Sequence, residues 1–463
     1  MERLSALDTE FLHLEDGVAH MHIAGLSVFD GEPPTEEEIQ RLLASKLHRI
    51  PRYRQRVVSV PFELGRPVWA DDPHFNLAFH VRSTALVEPA DDQALCRLMG
   101  RLMSQELDRH RPLWEVWVVH GLPDHRWALV SKVHHCMVDG ISGVALLEAL
   151  LDITPDAGPP AEPEPWEPAP EPSWPALVLD AWGGALSDVG DAVRATPDRL
   201  RDPRRTIRSV TGTVEGFVNF ARTMHATPAV SVDGSIGPHR VWAHSSASID
   251  DVRRIRKSFG GTLNDVVLAA VANGYRNLLL DRGEDPETAT LRTLVPVSVR
   301  HDDGEGVFDN RVSAILYDLP VGESDPVLRL ALVQQQMLKL KHSHMAEAGD
   351  AVTTVANLLP PMIVGTTSRV VMRVLQDHPQ HVLNTVTTNV PGPQFPLYCL
   401  GREMLEHRPY VPISHGLRVG TAILSYNGHL AFGVTGDFDT APDVHIVATG
   451  IAVGIAQLVA RAN

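Results

Sequence analysis

The stretch His134-His135-Cys136-Met137-Val138-Asp139-Gly140 holds the residue types needed to move a proton at neutral pH. A neutral imidazole, with an ordinary pKa of about 6.5, can take the proton of a hydroxyl as that oxygen forms a new bond. Asp139, four residues beyond His135, can orient the ring directly or cap a helix beginning at Gly140. Gly140 itself permits a tight turn that a side chain would obstruct. Cys136 lies inside the motif, but reads as a small apolar residue beside the imidazole, not as a nucleophile. A serine nucleophile elbow is not present there. Around Ser142 the order is Gly140-Ile141-Ser142-Gly143 instead of Gly-x-Ser-x-Gly.

The flanking residues must place that motif. Trp127 to Val133 is dense in apolar residues, β-branched toward its end, and predicts a strand. Ile141, Val144, Ala145, Leu147, Leu150 and Leu151 recur at helical spacing. The histidine pair therefore sits at a strand end, before a short loop and a helix, where a rigid scaffold commonly carries chemistry. Side chains alternate along a strand, so two extended histidines face opposite ways. His135 is expected to be the working base and His134 its support. A preceding strand over 112–119, with a turn at Pro123-Asp124-His125-Arg126, makes a hairpin that delivers the motif.

Elsewhere the chain alternates helices and strands, which predicts α/β domains. Ser5-Ala6-Leu7-Asp8 opens a helix with Phe11, Leu12 and Leu14 on its apolar side. His20 and His22 share one face of the next strand at a metal-like spacing, but no third ligand is evident, so ordinary strand histidines are expected. Helices are predicted over Thr35–His48 and Ala90–Leu107, the latter with a buried stripe of Leu95, Leu98, Met99, Leu102 and Met103. Nine prolines between Pro155 and Pro175 mark an extended linker. Arg199, Arg201, Arg204, Arg205 and Arg208 follow, either as a solvated face or as a landing patch for anionic lipid headgroups. Ser248 and Thr262 are read as capping-box residues of two helices. Asn264 and Asp265 then fall in a first turn, where free backbone donors gather. Capping alone accounts for Asp265, less so for Asn264. Thr387, Thr388 and Asn389 end a strand before Val390-Pro391-Gly392-Pro393 and could offer oxyanion donors or simply ladder a sheet. Asn427-Gly428 signals a hairpin.

Composition narrows the class. A chain of 463 residues with 44% hydrophobic residues is globular, and long enough for two domains. The net charge of −16 argues against a general nucleic-acid binder. Three scattered cysteines, Cys96, Cys136 and Cys399, fit a reducing compartment and show no zinc spacing. No signal peptide is visible, and no run of about 18 apolar residues is evident. Ile446 to Ala460 is expected to be a packed terminal helix, and any membrane contact peripheral.

His-His-x-x-x-Asp-Gly resembles the motif of the CoA-dependent acyltransferase superfamily. Pro112-Leu113-Trp114, Asn264-Asp265, Asn389-Val390-Pro391-Gly392-Pro393 and the opening Leu4-Ser5-Ala6-Leu7-Asp8 resemble, in order, stretches of the bacterial wax ester synthase/diacylglycerol acyltransferase family. The resemblance implies an α/β fold of two chloramphenicol-acetyltransferase-like domains with the active-site channel between them. These would be residues 1–153 carrying the motif, 154–235 as linker and crossover helices, and 236–463 as the second domain. It implies an acyl-CoA-dependent O-acyltransferase making triacylglycerol from diacylglycerol, or wax ester from a long-chain fatty alcohol, with His135 as general base. No covalent intermediate, metal or cofactor is expected, acyl-CoA being a substrate. Asp139 would form a salt bridge with a distant arginine, for which Arg300 is the candidate. Trp114 and Trp117 would be core anchors or line an acyl tunnel, with Pro112-Leu113-Trp114 structural beside the site. The expected location is cytoplasmic, peripherally on the inner membrane or lipid droplets. A condensation-type enzyme would share the motif but be fused to carrier domains. A lipid-binding protein with a dead site would be expected to have lost His135.

Overall fold

The computed structural model describes residues 1–61, 64–137, 147, 149–156, 158–180, 229–298, 312–342 and 383–462. Strands of the first part are β1 (His22–Asp30), β2 (Gln55–Val58), β3 (Val68–Asp71), β4 (Val81–Ala85), β5 (Trp114–Leu122) and β6 (Arg126–His134). Then come β7 (Asp233–Gly234), β8 (Arg240–Ser248), β9 (Leu291–Ser298), β10 (Val312–Leu319) and β11 (Thr385–Val390). The last are β12 (Tyr398–Cys399), β13 (Arg402–Tyr410), β14 (Gly416–Leu417), β15 (Val419–Tyr426) and β16 (His429–Asp437).

Two six-stranded sheets result, ordered β12-β13-β1-β6-β5-β4 and β10-β9-β11-β15-β16-β8. The expected hairpins form. Asp124 (φ 61°) and His125 (φ 53°) turn β5 into β6, and Asn427 (φ 43°) with Gly428 (φ 83°) turns β15 into β16. Positive φ at both central residues matches the right-handed twist of the flanking strands. Several neighbours are not consecutive in the chain, and the pairing of β13 with β1 spans the most sequence. β12 and β13 lie late in the chain yet complete the first sheet, β13 running antiparallel to β1 from Ala24↔Tyr410 to Phe29↔Met404.

Helix ends follow the capping residues. Ser5 caps α1 (Ala6–Leu14) by accepting the Asp8 N–H at 3.0 Å. Thr35 and Glu38 form a full capping box on α2 (Glu36–Lys46). A single turn, α3 (Leu77–His80), follows. Asp91 caps α4 (Asp92–Met103), whose predicted stripe from Leu95 to Met103 is buried. Each such leucine contributes about 1.5–3 kcal/mol of burial. Thr262 and Asp265 form the box expected for the Leu263–Asp281 helix, whereas Ser248 caps Ile249–Phe259 by a single bond to the Asp250 N–H.

The C-terminal helix, Val444–Arg461, corrects one expectation. With a mean hydropathy of 1.6 over 18 residues it is long and apolar enough to cross a membrane by length and composition alone. The reason it looked unsuitable is its interruption by Thr449, Gly450, Gly454 and Gln457. In the fold it lies against the Leu263–Asp281 helix, with Val447, Ile451, Ile455 and Leu458 buried in the core of the second sheet.

Candidate functional site

β6 runs to His134, and His135 opens a one-turn 3-10 helix, His135–Met137. The two rings are therefore separated by the start of a turn, not by strand alternation. His134 is fully buried and His135 half-buried. Both main chains are held. The His134 N–H donates to Leu113 O at 2.9 Å and the His135 N–H to Met21 O at 2.8 Å. The histidine pair is thus fastened to the start of β5 on one side and the approach to β1 on the other.

Phe11 of α1 stacks on the His135 ring, centroids 3.9 Å apart and planes at 29°. Nδ1 of His135 is buried with no hydrogen-bond partner among the described residues. Burial lowers the ring's pKa to about 4; its own backbone carbonyl opposes this and His134 adds to it. At neutral pH the ring is an uncharged base. His134 is different. Its Nδ1 accepts the Cys136 N–H at 3.1 Å, so that nitrogen carries no proton and Nε2 carries the hydrogen. Nε2 lies 3.5 Å from a Glu15 carboxylate oxygen. Cys136 is 3% exposed, and burial pushes its thiol well above the ordinary range, so packing is its role.

Leu113 and Trp114 are buried behind the motif. The Trp114 indole N–H donates to Tyr53 O at 2.8 Å, and its ring stacks on His80 at 4.5 Å. Pro112 starts this buttress, its carbonyl accepting the Trp114 N–H at 2.9 Å. Trp117 is half-buried and donates to Glu115 at 3.0 Å.

In the second part of the chain, Asn264 and Asn389 meet. Asn389 Nδ2 donates to Asn264 Oδ1 at 3.2 Å, joining the first turn of a helix to the end of β11. Asp265 is occupied by capping, accepting the Thr262 N–H at 2.7 Å. Thr387 is buried and accepts the Thr293 hydroxyl at 2.8 Å, so it ladders the sheet. Thr388 is half-buried beside it. Among the described residues no hydrogen bond, ion pair or ring contact joins this cluster directly to His135. Asp139, Gly140 and Arg300 lie outside the described residues, as do the start of the helix predicted after the motif and the arginines from Arg199 to Arg208.

His20 and His22 do share a face, their rings 5.6 Å apart. Their partners are carboxylates: His22 Nε2 is 3.1 Å from Glu15 and His20 Nδ1 is 3.7 Å from Glu106. Glu15 carries no motif signal in the sequence, and only the fold brings it here. Among the described residues, the one set with metal-like spacing is Asp92, Cys96 and His244. Arg408 already fills it, 2.7 Å from Asp92 and 2.8 Å from His244, and its positive charge opposes a cation.

A family model described as the wax ester synthase/diacylglycerol acyltransferase catalytic domain matches residues 4–267, and its C-terminal domain matches residues 308–458. The chain belongs to the wax ester synthase/diacylglycerol acyltransferase family. This acyltransferase is 36% identical over 472 residues to a probable diacylglycerol O-acyltransferase of Mycobacterium tuberculosis, covering 99% of this chain and 96% of that one. It superposes on the wax ester synthase/diacylglycerol acyltransferase from Marinobacter aquaeolei VT8 with a TM-score of 0.70, at 25% identity and full coverage of both chains. The first condensation domain of the CDA synthetase shares the fold, with a TM-score of 0.57 at 16% identity, covering 100% of this chain and 96% of that one. The acyltransferase family thus carries the two-sheet architecture expected of chloramphenicol-acetyltransferase-like enzymes.

Proposed function

We propose that this acyltransferase moves a long-chain acyl group from acyl-CoA to diacylglycerol, releasing CoA and triacylglycerol. The observation that carries this is His135: a strand-end imidazole, uncharged through burial yet only half-buried. The acceptor hydroxyl attacks the thioester carbonyl as Nε2 of His135 takes its proton. A carbon–oxygen bond forms, the carbon–sulfur bond breaks, and the imidazolium returns its proton to the departing CoA thiolate. Thiolate is a good leaving group, so one base, one oxyanion donor and a dry channel suffice. Asn264, Thr388 and Asn389 are the candidates to bind substrate or the oxyanion, with Asp265 holding the helix start beneath Asn264. Pro112, Leu113 and Trp114 buttress His135.

His135→Ala should lose at least the roughly 10²- to 10⁴-fold attributed to a general base, with an unchanged melting temperature. Near-parental turnover by a folded variant would refute the assignment. The name of the M. tuberculosis relative favours diacylglycerol as acceptor; that of the Marinobacter enzyme supports long-chain fatty alcohol as the second reading. Labelled acyl-CoA offered with each acceptor separately decides between them.

Both acceptors reside at a lipid surface, so peripheral attachment to the inner membrane or lipid droplets belongs to the same reading. The arginine-rich stretch from Arg199 to Arg208 supplies the charge, at about 1 kcal/mol per basic residue near an anionic surface. Vesicle co-sedimentation should weaken with salt and with Arg201, Arg204 and Arg205 changed to Glu. Unaltered binding by that triple variant would exclude the stretch as anchor.

A further inference from the structure

Glu15 follows α1 and sits in no motif, yet its side chain is only 6% exposed. Each carboxylate oxygen is engaged. Oε1 faces His22 Nε2 at 3.1 Å and the Met21 N–H at 3.4 Å. Oε2 accepts from Arg109 Nε at 2.9 Å and Nη2 at 2.6 Å, and lies 3.5 Å from His134 Nε2. Burial opposes the charge on Glu15, but hydrogen bonds from His134 and His22 hold its carboxyl well below the usual range. The carboxylate is thus ionised, countered by the Arg109 guanidinium, with His134 Nε2 and His22 Nε2 beside it; His22 Nε2 also accepts the Leu107 N–H at 3.4 Å.

Its neighbours are the elements that hold His135. His22 and His134 are register partners across β1 and β6. Met21, whose N–H meets Glu15, offers the carbonyl that receives the His135 N–H. Phe11, one turn back along α1, is the ring that covers His135. We propose that Glu15 is a positioning residue for the reaction: through His134, Met21 and α1 it fixes the main chain and the ring of His135. This rests on the reading of His135 as the base.

The other charged and titratable groups around this cluster are His20, Glu106, Lys132 and Arg240, the last spent on the carbonyls of His239, at 3.0 Å, and Val18. Lys132 is spent on the carbonyls of Leu102, at 3.0 Å, and Gln105. Glu106 is 57% exposed at its side chain and 3.7 Å from His20, so it cannot replace the buried Glu15 carboxylate. Changing Glu15 to Gln keeps one acceptor oxygen but turns an amide NH2 toward groups that are themselves donors.

The test compares kcat, KM and pH profile for the parent, Glu15→Gln, Glu15→Asp and His135→Ala. Glu15→Gln should lose about 10- to 100-fold in kcat, as expected for a misplaced base, with KM for both substrates within about twofold. A looser, wetter His135 should also titrate closer to its ordinary pKa. The base works only when neutral, so the acid limb of kcat/KM, which reports the free enzyme, should move up from about 4 in the parent toward about 6.5. Loss of folded protein alone would lower the amplitude and leave the limb in place. Glu15→Asp, which keeps the charge, should fall between parent and Glu15→Gln and carries the test if the amide variant does not fold. If His135→Ala is inactive while neither Glu15 variant changes kcat or the limb, the positioning role is wrong and the base stands. If His135→Ala stays active, both fall together.

Discussion

His135 is not alone in being an imidazole kept uncharged by burial. His22 is lowered to about 3, and His80 and His407 to about 4, burial being the largest cause in each. His407 sits inside the first sheet, its Nδ1 2.9 Å from the Ser27 hydroxyl. In the unfolded chain these rings take up protons near pH 6.5; in the fold they resist until well below that. The unfolded state therefore binds more protons across the interval, and stability present above about pH 6.5 is lost as pH falls toward 4. The slope is up to about 1.4 kcal/mol per pH unit for each ring. The melting temperature should drop between pH 7 and pH 5. His407→Gln should melt lower at pH 7 but lose less on acidification, and an unchanged slope would exclude His407 from the effect. At this scale the sequence was informative where function is local. The histidine pair, Asn264-Asp265, Asn389-Val390 and Pro112-Leu113-Trp114 are each contiguous and stand out by type; that Asn264 and Asn389 meet, 125 residues apart, is set by the fold. Glu15 was not legible, because its partner His134 lies 119 residues away by number and only the β1–β6 register brings them together.

Among the elements, periodicity served well. The α4 stripe, both hairpins and the Thr262 box all follow from residue types a few positions apart. The C-terminal helix was harder to read, because its glycines are contact points instead of breaks. A Cβ on Gly450 would lie 2.8 Å from the Gly274 Cα and 2.9 Å from Asn277 Nδ2, and Asn273 donates to the Gly450 carbonyl at 2.7 Å. The helices approach backbone to backbone. Gly450→Ala would gain up to about 1 kcal/mol of helix propensity at a free site. Here overpacking of about 1–3 kcal/mol should exceed it. Denaturant unfolding should show net destabilisation; a more stable variant would mean the helices can slide apart at little cost.

Across the whole molecule, the two sheets are joined by more than a linker. Arg408 on β13 reaches Asp92 of α4 at 2.7 Å, Glu406 at 2.8 Å and His244 of β8 at 2.8 Å. Trp242 of β8 donates to Pro409 O at 3.3 Å, and Tyr426 of β15 donates to Met404 O at 2.9 Å. Arg408 is 9% exposed at its side chain while Asp92 is 58% exposed, so the pair is half in water and worth less than a fully buried one. Arg408→Met should cost about 1–3 kcal/mol. A denaturation midpoint equal to the parent's would show the network to be decorative.

The placement of β13 sets an order of events during synthesis. β1 has β6 on one side and β13 on the other, and β13 is made only at residues 402–410. Until then the open edge of β1 exposes unpaired N–H and C=O groups while some 370 further residues leave the ribosome. The cradle around His22 and Met21 is therefore assembled on a sheet that closes nearly last. A nascent chain stalled before residue 402 keeps a sticky edge beside the future site, and chaperone demand in this acyltransferase should concentrate there.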